Sequence, residues 1–317
     1  MEQGTQEESR TASPDWPRAL ALFGVVLVTS IFVHPGIVIG VPLALLLALT
    51  GLGNVMSAAV VGLVILILAA GRDPLGDGLW YTERAWAVLL GGWFVGMSLL
   101  VPRWRLTSRA LGALAGAAAV AAGIFGIRSG SWSALDGTVS RLMQAQANGT
   151  IAWWRSVGGP EGISSEMAEI AQSLASAQTA VFPALLGIES LAALGVAWWA
   201  RARLLGQPGQ GLSPLREFRF NDHLVWILVL GLMLLLAESG SELSRVGTNA
   251  IFFMGALYAL RGLAVFLFVS GGVSLFSFVL FTVLMALVPV VILGTAALIG
   301  IGDTWLDLRA RTAELVG

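Results

Sequence analysis

The sequence predicts an all-α fold: a polytopic membrane bundle of about 8–10 transmembrane helices with a central extracytoplasmic amphipathic segment. Three observations carry this. The 317 residues are 56% hydrophobic and only 12% charged, half the roughly 25% charged share of soluble domains. Mean hydropathy is +0.83. Several apolar runs approach or exceed the ~20 residues a spanning helix needs, and they are continuous, unlike the alternating ~10-residue strands of a membrane barrel.

Residues 1–18 are polar and lack the basic stretch of a cleavable signal, so they are expected to form a disordered cytoplasmic tail. The apolar run at 19–33 is the first expected span, closed by His34-Pro35-Gly36. Runs at 37–52 and 55–71 follow, divided by Gly53-Asn54. After a polar loop come spans at 85–101 and 111–127, separated by Arg103, Arg105 and Arg109. These five complete an N-terminal transmembrane half, 19–128.

The stretch 129–178 differs. It is polar, with helical spacing at 135–147 and 164–177, and reads as surface helices anchored by Trp132, Trp153 and Trp154. The second half, 179–302, holds spans at 180–200, 224–237 and 249–269, then a run at 273–301 interrupted by Pro289. That last run crosses once as a kinked helix or twice as a hairpin. A tail, 303–317, ends the chain.

Basic residues favour the cytoplasmic side. The loop with Arg103, Arg105 and Arg109 and the linker with Arg201, Arg203, Arg216 and Arg219 lie two crossings apart, hence on one side. This puts the N-terminus in the cytoplasm and 129–178 outside, in a bacterial inner membrane.

Ionisable groups inside apolar runs are costly and mark functional or architectural sites. Glu189 and Arg261 stand in the sixth and eighth expected spans, at similar expected depth, and are expected to pair directly or through a ligand. Tyr258, three residues before Arg261, shares its helix face and extends the polar group. Asn249 is either a cap at the start of its helix or a ligand-binding residue. Asp222 is expected to cap the start of the seventh span, and Arg309 and Arg311 to snorkel beside an interfacial Trp305. Gly92/Gly96 and Gly112/Gly116 repeat at four-residue spacing, a pattern that lets helix backbones approach within one chain or against a partner.

Other chemistry is missing from the sequence. Cysteine count is zero and His count two, so neither thiolate chemistry nor a Cys/His metal set is expected. There is no GxxxxGK[ST], GxSxG or HExxH, so no nucleotide motor, catalytic residue or cofactor is expected. A net charge of -1 offers no field for nucleic acid.

The second half resembles the YybS-like family of bacterial integral membrane proteins. The resemblance lies in Phe182-Pro183-Ala184 to Trp199-Ala200-Arg201, in Arg216 to Trp226, in Asn249 with Leu257 to Ala264, and in Gly300-Ile301-Gly302-Asp303-Thr304-Trp305. It implies a likeness to the substrate-capture subunits of energy-coupling-factor transporters. The expected function is thus a transport-type substrate-binding membrane subunit without its own ATPase, taking a small-molecule substrate and partner ATPase subunits. The alternative is a scaffold or assembly factor of the cell envelope.

Overall fold

The computed structural model describes residues 16–30, 33–50, 55–69, 79–127, 131–158, 165–207, 211–237, 241–270, 280, 283–285 and 287–311. Residues 1–15 of the expected N-terminal tail, most of the 72–84 loop and the start of the last apolar run lie outside the described residues, while Trp16, Pro17 and Arg18, expected in the disordered tail, open the first helix. Among the described residues the chain is helical, without strands.

Eleven described helices follow the apolar runs: α1 Trp16–Thr29, α2 Pro35–Thr50, α3 Val55–Ala69, α4 Leu79–Leu100, α5 Leu106–Ile127, α6 Ser131–Gly158, α7 Ser165–Ala180, α8 Phe182–Leu204, α9 Val225–Leu236, α10 Ser241–Val269 and α11 Pro289–Leu306. Four of these, α5, α8, α10 and α11, are long and apolar enough to cross a membrane, and four shorter apolar helices accompany them. Pro289 begins α11 rather than kinking a longer helix. Its fixed φ suits a first helical turn, where the missing N–H costs nothing.

Helix α8 is the hub. It contacts α1, α2, α4, α5, α7 and α10, because its Ala- and Gly-rich faces let neighbours come close. A methyl on Gly195 would meet Leu22 at 2.8 Å, and one on Gly187 would meet Phe253 at 3.0 Å. The largest core, including Val26, Leu90, Phe94, Ala113, Ala193 and Leu194, joins α1, α4, α5 and α8. The outward faces carry exposed Leu, Val and Ile, as on α3 and α9. Such faces suit a solvent of lipid, where only the backbone must be satisfied internally.

The glycines at four-residue spacing have different surroundings in α4 and α5. In α5, Gly116 receives the Trp93 ring, which a methyl would meet at 2.5 Å, and Gly112 receives Met97. Gly92 and Gly96 face open space. On α4 the close residue is Gly91, whose added methyl would lie 3.2 Å from Pro42 Cα on α2. The tightest backbone approaches join Gly231 of α9 to Gly247 of α10, and Gly262 of α10 to Gly300 of α11. A methyl on Gly262 would fall on the Ala296 carbonyl.

Helices α6 and α7 form an antiparallel hairpin over the expected amphipathic stretch, longer at both ends than its spacing indicates. Trp132, Trp153 and Trp154 are exposed, as are Met167, Ile170 and Leu174 on one face of α7. Between α7 and α8 the helix nearly continues, through Val181 alone. Val181 N donates to Ala177 O and Leu185 N to Val181 O. Pro183 cannot donate to the Thr179 carbonyl and its ring crowds it, so the ladder opens there.

Candidate functional site

Among the described residues, Glu189 and Arg261 each sit in a polar group of their own. The first gathers where α1, α2, α4 and α8 meet. Glu189, 1% exposed, sits in the second turn of α8 and accepts a 2.9 Å hydrogen bond from Ser30 Oγ. Its neighbour Ser190 accepts from Trp86 Nε1 at 3.0 Å. One turn before Trp86, the nearly buried Glu83 accepts from the backbone N–H of His34 and lies 3.0 Å from His34 Nδ1. Its other oxygen is 3.8 Å from Arg84. The His34 ring is exposed, so the group runs from the surface at His34 through Glu83 toward Glu189. Glu83 is near enough for its charge to act on Glu189. Among the described residues Glu189 has no cationic partner, only hydroxyl support.

The second group surrounds Arg261, which is 2% exposed. Its Nε donates to Asp303 Oδ2 at 2.9 Å, its Nη2 to the Asp303 carbonyl at 3.3 Å, and its Nη1 to Asp222. Asp303 also accepts from Arg309 Nη2 at 2.8 Å. Arg309 Nη1 reaches the carbonyls of Arg216 and Phe218. Two arginines and two aspartates thus tie the linker after α8 to α10 and α11. Phe220 closes the cluster, 5.5 Å below the Arg261 guanidinium and 5.1 Å from the Tyr258 ring. Beside it a cleft of about 310 Å³ is bounded by Asp222, His223, Trp226, Thr304 and Trp305.

The expected Glu189–Arg261 pair does not form. Helices α8 and α10 do run parallel, as expected: Asn249 lies beside Ala184 and Phe253 beside Gly187. That register sets Arg261 level with about residue 195, some six residues or roughly 9 Å beyond Glu189. Arg261 also turns toward α11 and the linker, whereas Glu189 turns toward α1. Tyr258 joins Arg261 but not Glu189. Arg309 is buried at 4% and does not snorkel. Asp303, expected in the C-terminal tail, is inside α11 and 1% exposed.

Asn249 is a cap, but not of its own helix. It lies two turns inside α10, and its side chain enters the opened ladder between α7 and α8. Oδ1 accepts from Ala184 N at 2.9 Å, and Nδ2 donates to Ala180 O at 2.8 Å. One turn earlier, Arg245 Nη2 donates 3.1 Å to the Thr179 carbonyl that Pro183 leaves without a donor, and pairs with Asp136 of α6. The small helix at 222–224 is capped by Asn221, which accepts from His223 N, and not by Asp222. Asp222 is spent on Arg261.

The two Arg-rich connections meet. Thr107 Oγ1, at the start of α5, donates 3.1 Å to the Arg219 carbonyl, and Arg18 Nη1 donates 3.0 Å to the Leu212 carbonyl. They therefore share one end of the bundle. Among the described residues no cluster of three or more His, Asp or Glu has metal-binding geometry.

Comparison with curated proteins and with solved structures finds no match. A family model described as "Predicted membrane protein (DUF2232)", the YybS-like family, matches residues 19–304. The match extends the resemblance from the second half to the N-terminal half as well. The chain therefore belongs to the DUF2232 family of predicted membrane proteins.

Proposed function

We propose that this membrane protein is a transport-type, substrate-binding subunit of a bacterial inner membrane, with the Arg-rich end cytoplasmic. It has no enzymatic activity and depends on ATPase subunits encoded separately, as its sequence has no phosphate-binding loop. The observation that carries this reading is Glu189. A carboxylate within an apolar helix is expensive and is normally neutralised by a partner or kept for function. Here it is buried and supported by Ser30, with the surface-reaching His34–Glu83 pair close enough for the Glu83 charge to act on it. Such a group suits a solute carrying a cationic or hydrogen-bond-donating head.

A specific observation favours a second reading, a scaffold of the cell envelope. Arg261, which also stands in a membrane-length helix, is saturated by Asp222 and Asp303 and serves to lock the linker in place. Purification in mild detergent, with mass spectrometry of copurifying proteins and retained metabolites, separates the two. A metabolite lost on Glu189→Gln, together with an ATPase, supports transport. Envelope proteins alone, unaffected by Glu189→Gln, support the scaffold.

A further inference from the structure

The chain has four described arginines that are buried: Arg109, Arg201, Arg261 and Arg309. Arg261 and Arg309 share Asp303. Arg109 and Arg201 have no carboxylate partner among the described residues, although they are 8% and 9% exposed. Both sit at the Arg-rich end, Arg109 in the first turn of α5 and Arg201 in the last turn of α8. They converge on one indole: the Arg109 guanidinium lies 4.6 Å and that of Arg201 5.0 Å from the Trp198 ring centroid.

The ring attracts both cations, but it does not remove the repulsion that Arg201 exerts on Arg109. Nor does it accept their N–H groups. The Nε of both residues and Nη1 of Arg201 are buried without a hydrogen-bond partner among the described residues. Each such donor loses its hydration for nothing. Snorkelling does not explain them, since a snorkelling guanidinium leaves the protein for the headgroups, and these are covered by protein.

We propose that Arg109 and Arg201, held by Trp198, form a binding site for a phosphate group. Guanidinium forks match phosphate oxygens two at a time, and one anion between them would satisfy the orphan donors and cancel the repulsion together. The site lies at the bundle end where lipid phosphates of one leaflet reside, so the group comes from an anionic phospholipid headgroup or from a free phosphate-bearing solute. The proposal does not depend on the Glu189 reading.

The test uses the full chain, delipidated in a neutral maltoside detergent. Melting temperature and retained mass in native mass spectrometry are followed with two probes. One is micellar phosphatidylglycerol against phosphatidylcholine; the other is inorganic phosphate against chloride at equal ionic strength. Stabilisation by phosphatidylglycerol alone assigns the lipid source, and stabilisation by inorganic phosphate assigns the solute. Arg201→Gln is expected to weaken that response about tenfold or more, while leaving the probe-free protein at least as stable, because a repelling buried charge is gone. Arg201→Lys, which keeps charge without the fork, falls between, and secures the comparison if Arg201→Gln does not fold. The proposal is overturned if neither probe stabilises the wild type, or if Arg109→Gln and Arg201→Gln keep the full response.

Discussion

Replacing Asn249 with Ala tests how α7 is joined to α8. The side chain supplies an acceptor to Ala184 N and a donor to Ala180 O, at 2.9 and 2.8 Å. Interhelical hydrogen bonds in membrane proteins average about 0.6 kcal/mol and reach about 1.7, so losing two predicts a cost of roughly 1–3 kcal/mol. The ladder cannot simply close in compensation, because the Pro183 ring still crowds the Thr179 carbonyl. Two assays read the result. Denaturant or detergent unfolding measures the stability loss, and amide exchange over residues 178–186 reports the Ala184 N–H directly. The expected outcome is lower stability with faster exchange confined to this stretch. Unchanged exchange at Ala184 would refute the role assigned to Asn249, whatever the stability.

Further outcomes follow from the same geometry. Arg261→Ala leaves the fully buried Asp303 to Arg309 alone and is expected to cost about 1.5–3 kcal/mol, whereas Asp222→Asn, at an exposed carboxylate, costs under about 1 kcal/mol; equal losses in thermal unfolding would contradict the ranking. Gly262→Ala or Gly300→Ala forces α10 and α11 apart and is expected to cost about 1–3 kcal/mol or more, while Gly92→Ala and Gly96→Ala, which meet nothing, change the melting temperature little. Glu189→Gln leaves Arg261 paired and is expected to express and melt like the wild type, or higher, because a buried charge is replaced by a neutral isostere. Collapse of the Arg261 region in that variant, seen as proteolysis of the 205–224 linker, would restore the abandoned pairing.

How much of this was legible follows from range. Apolar runs announce helices locally, so α2, α3, α5 and α9 lie close to where hydropathy puts them. Composition also marks Glu189 and Arg261 as exceptional. Their partners are another matter. Asp303 lies 42 residues from Arg261, in what reads as a tail, and Asp222 lies 39 away in a linker. No local period records such pairings. Depth misleads too, since counting from the ends of apolar runs ignores the stagger that Asn249–Ala184 and Phe253–Gly187 impose on α8 and α10. Asn249 reads as a cap because it follows a polar stretch, yet α10 begins eight residues earlier, at Ser241. Pro183 was the available signal: a proline inside an apparently continuous helix leaves a carbonyl that some side chain must serve. The GxxxG pattern in α5 marks a true groove, but the closest helices meet at Gly262 and Gly300, whose partners in contact are on different helices and leave no repeat.

The central claim is that Glu189, not Arg261, is the functional intramembrane charge. It is tested most directly by mass spectrometry of small molecules retained by the purified wild type, by Glu189→Gln and by Asn249→Ala. The account predicts a metabolite present in the wild type and in Asn249→Ala, and absent from Glu189→Gln at equal folding. The same retained molecule in all three proteins, or none in the wild type, would contradict it.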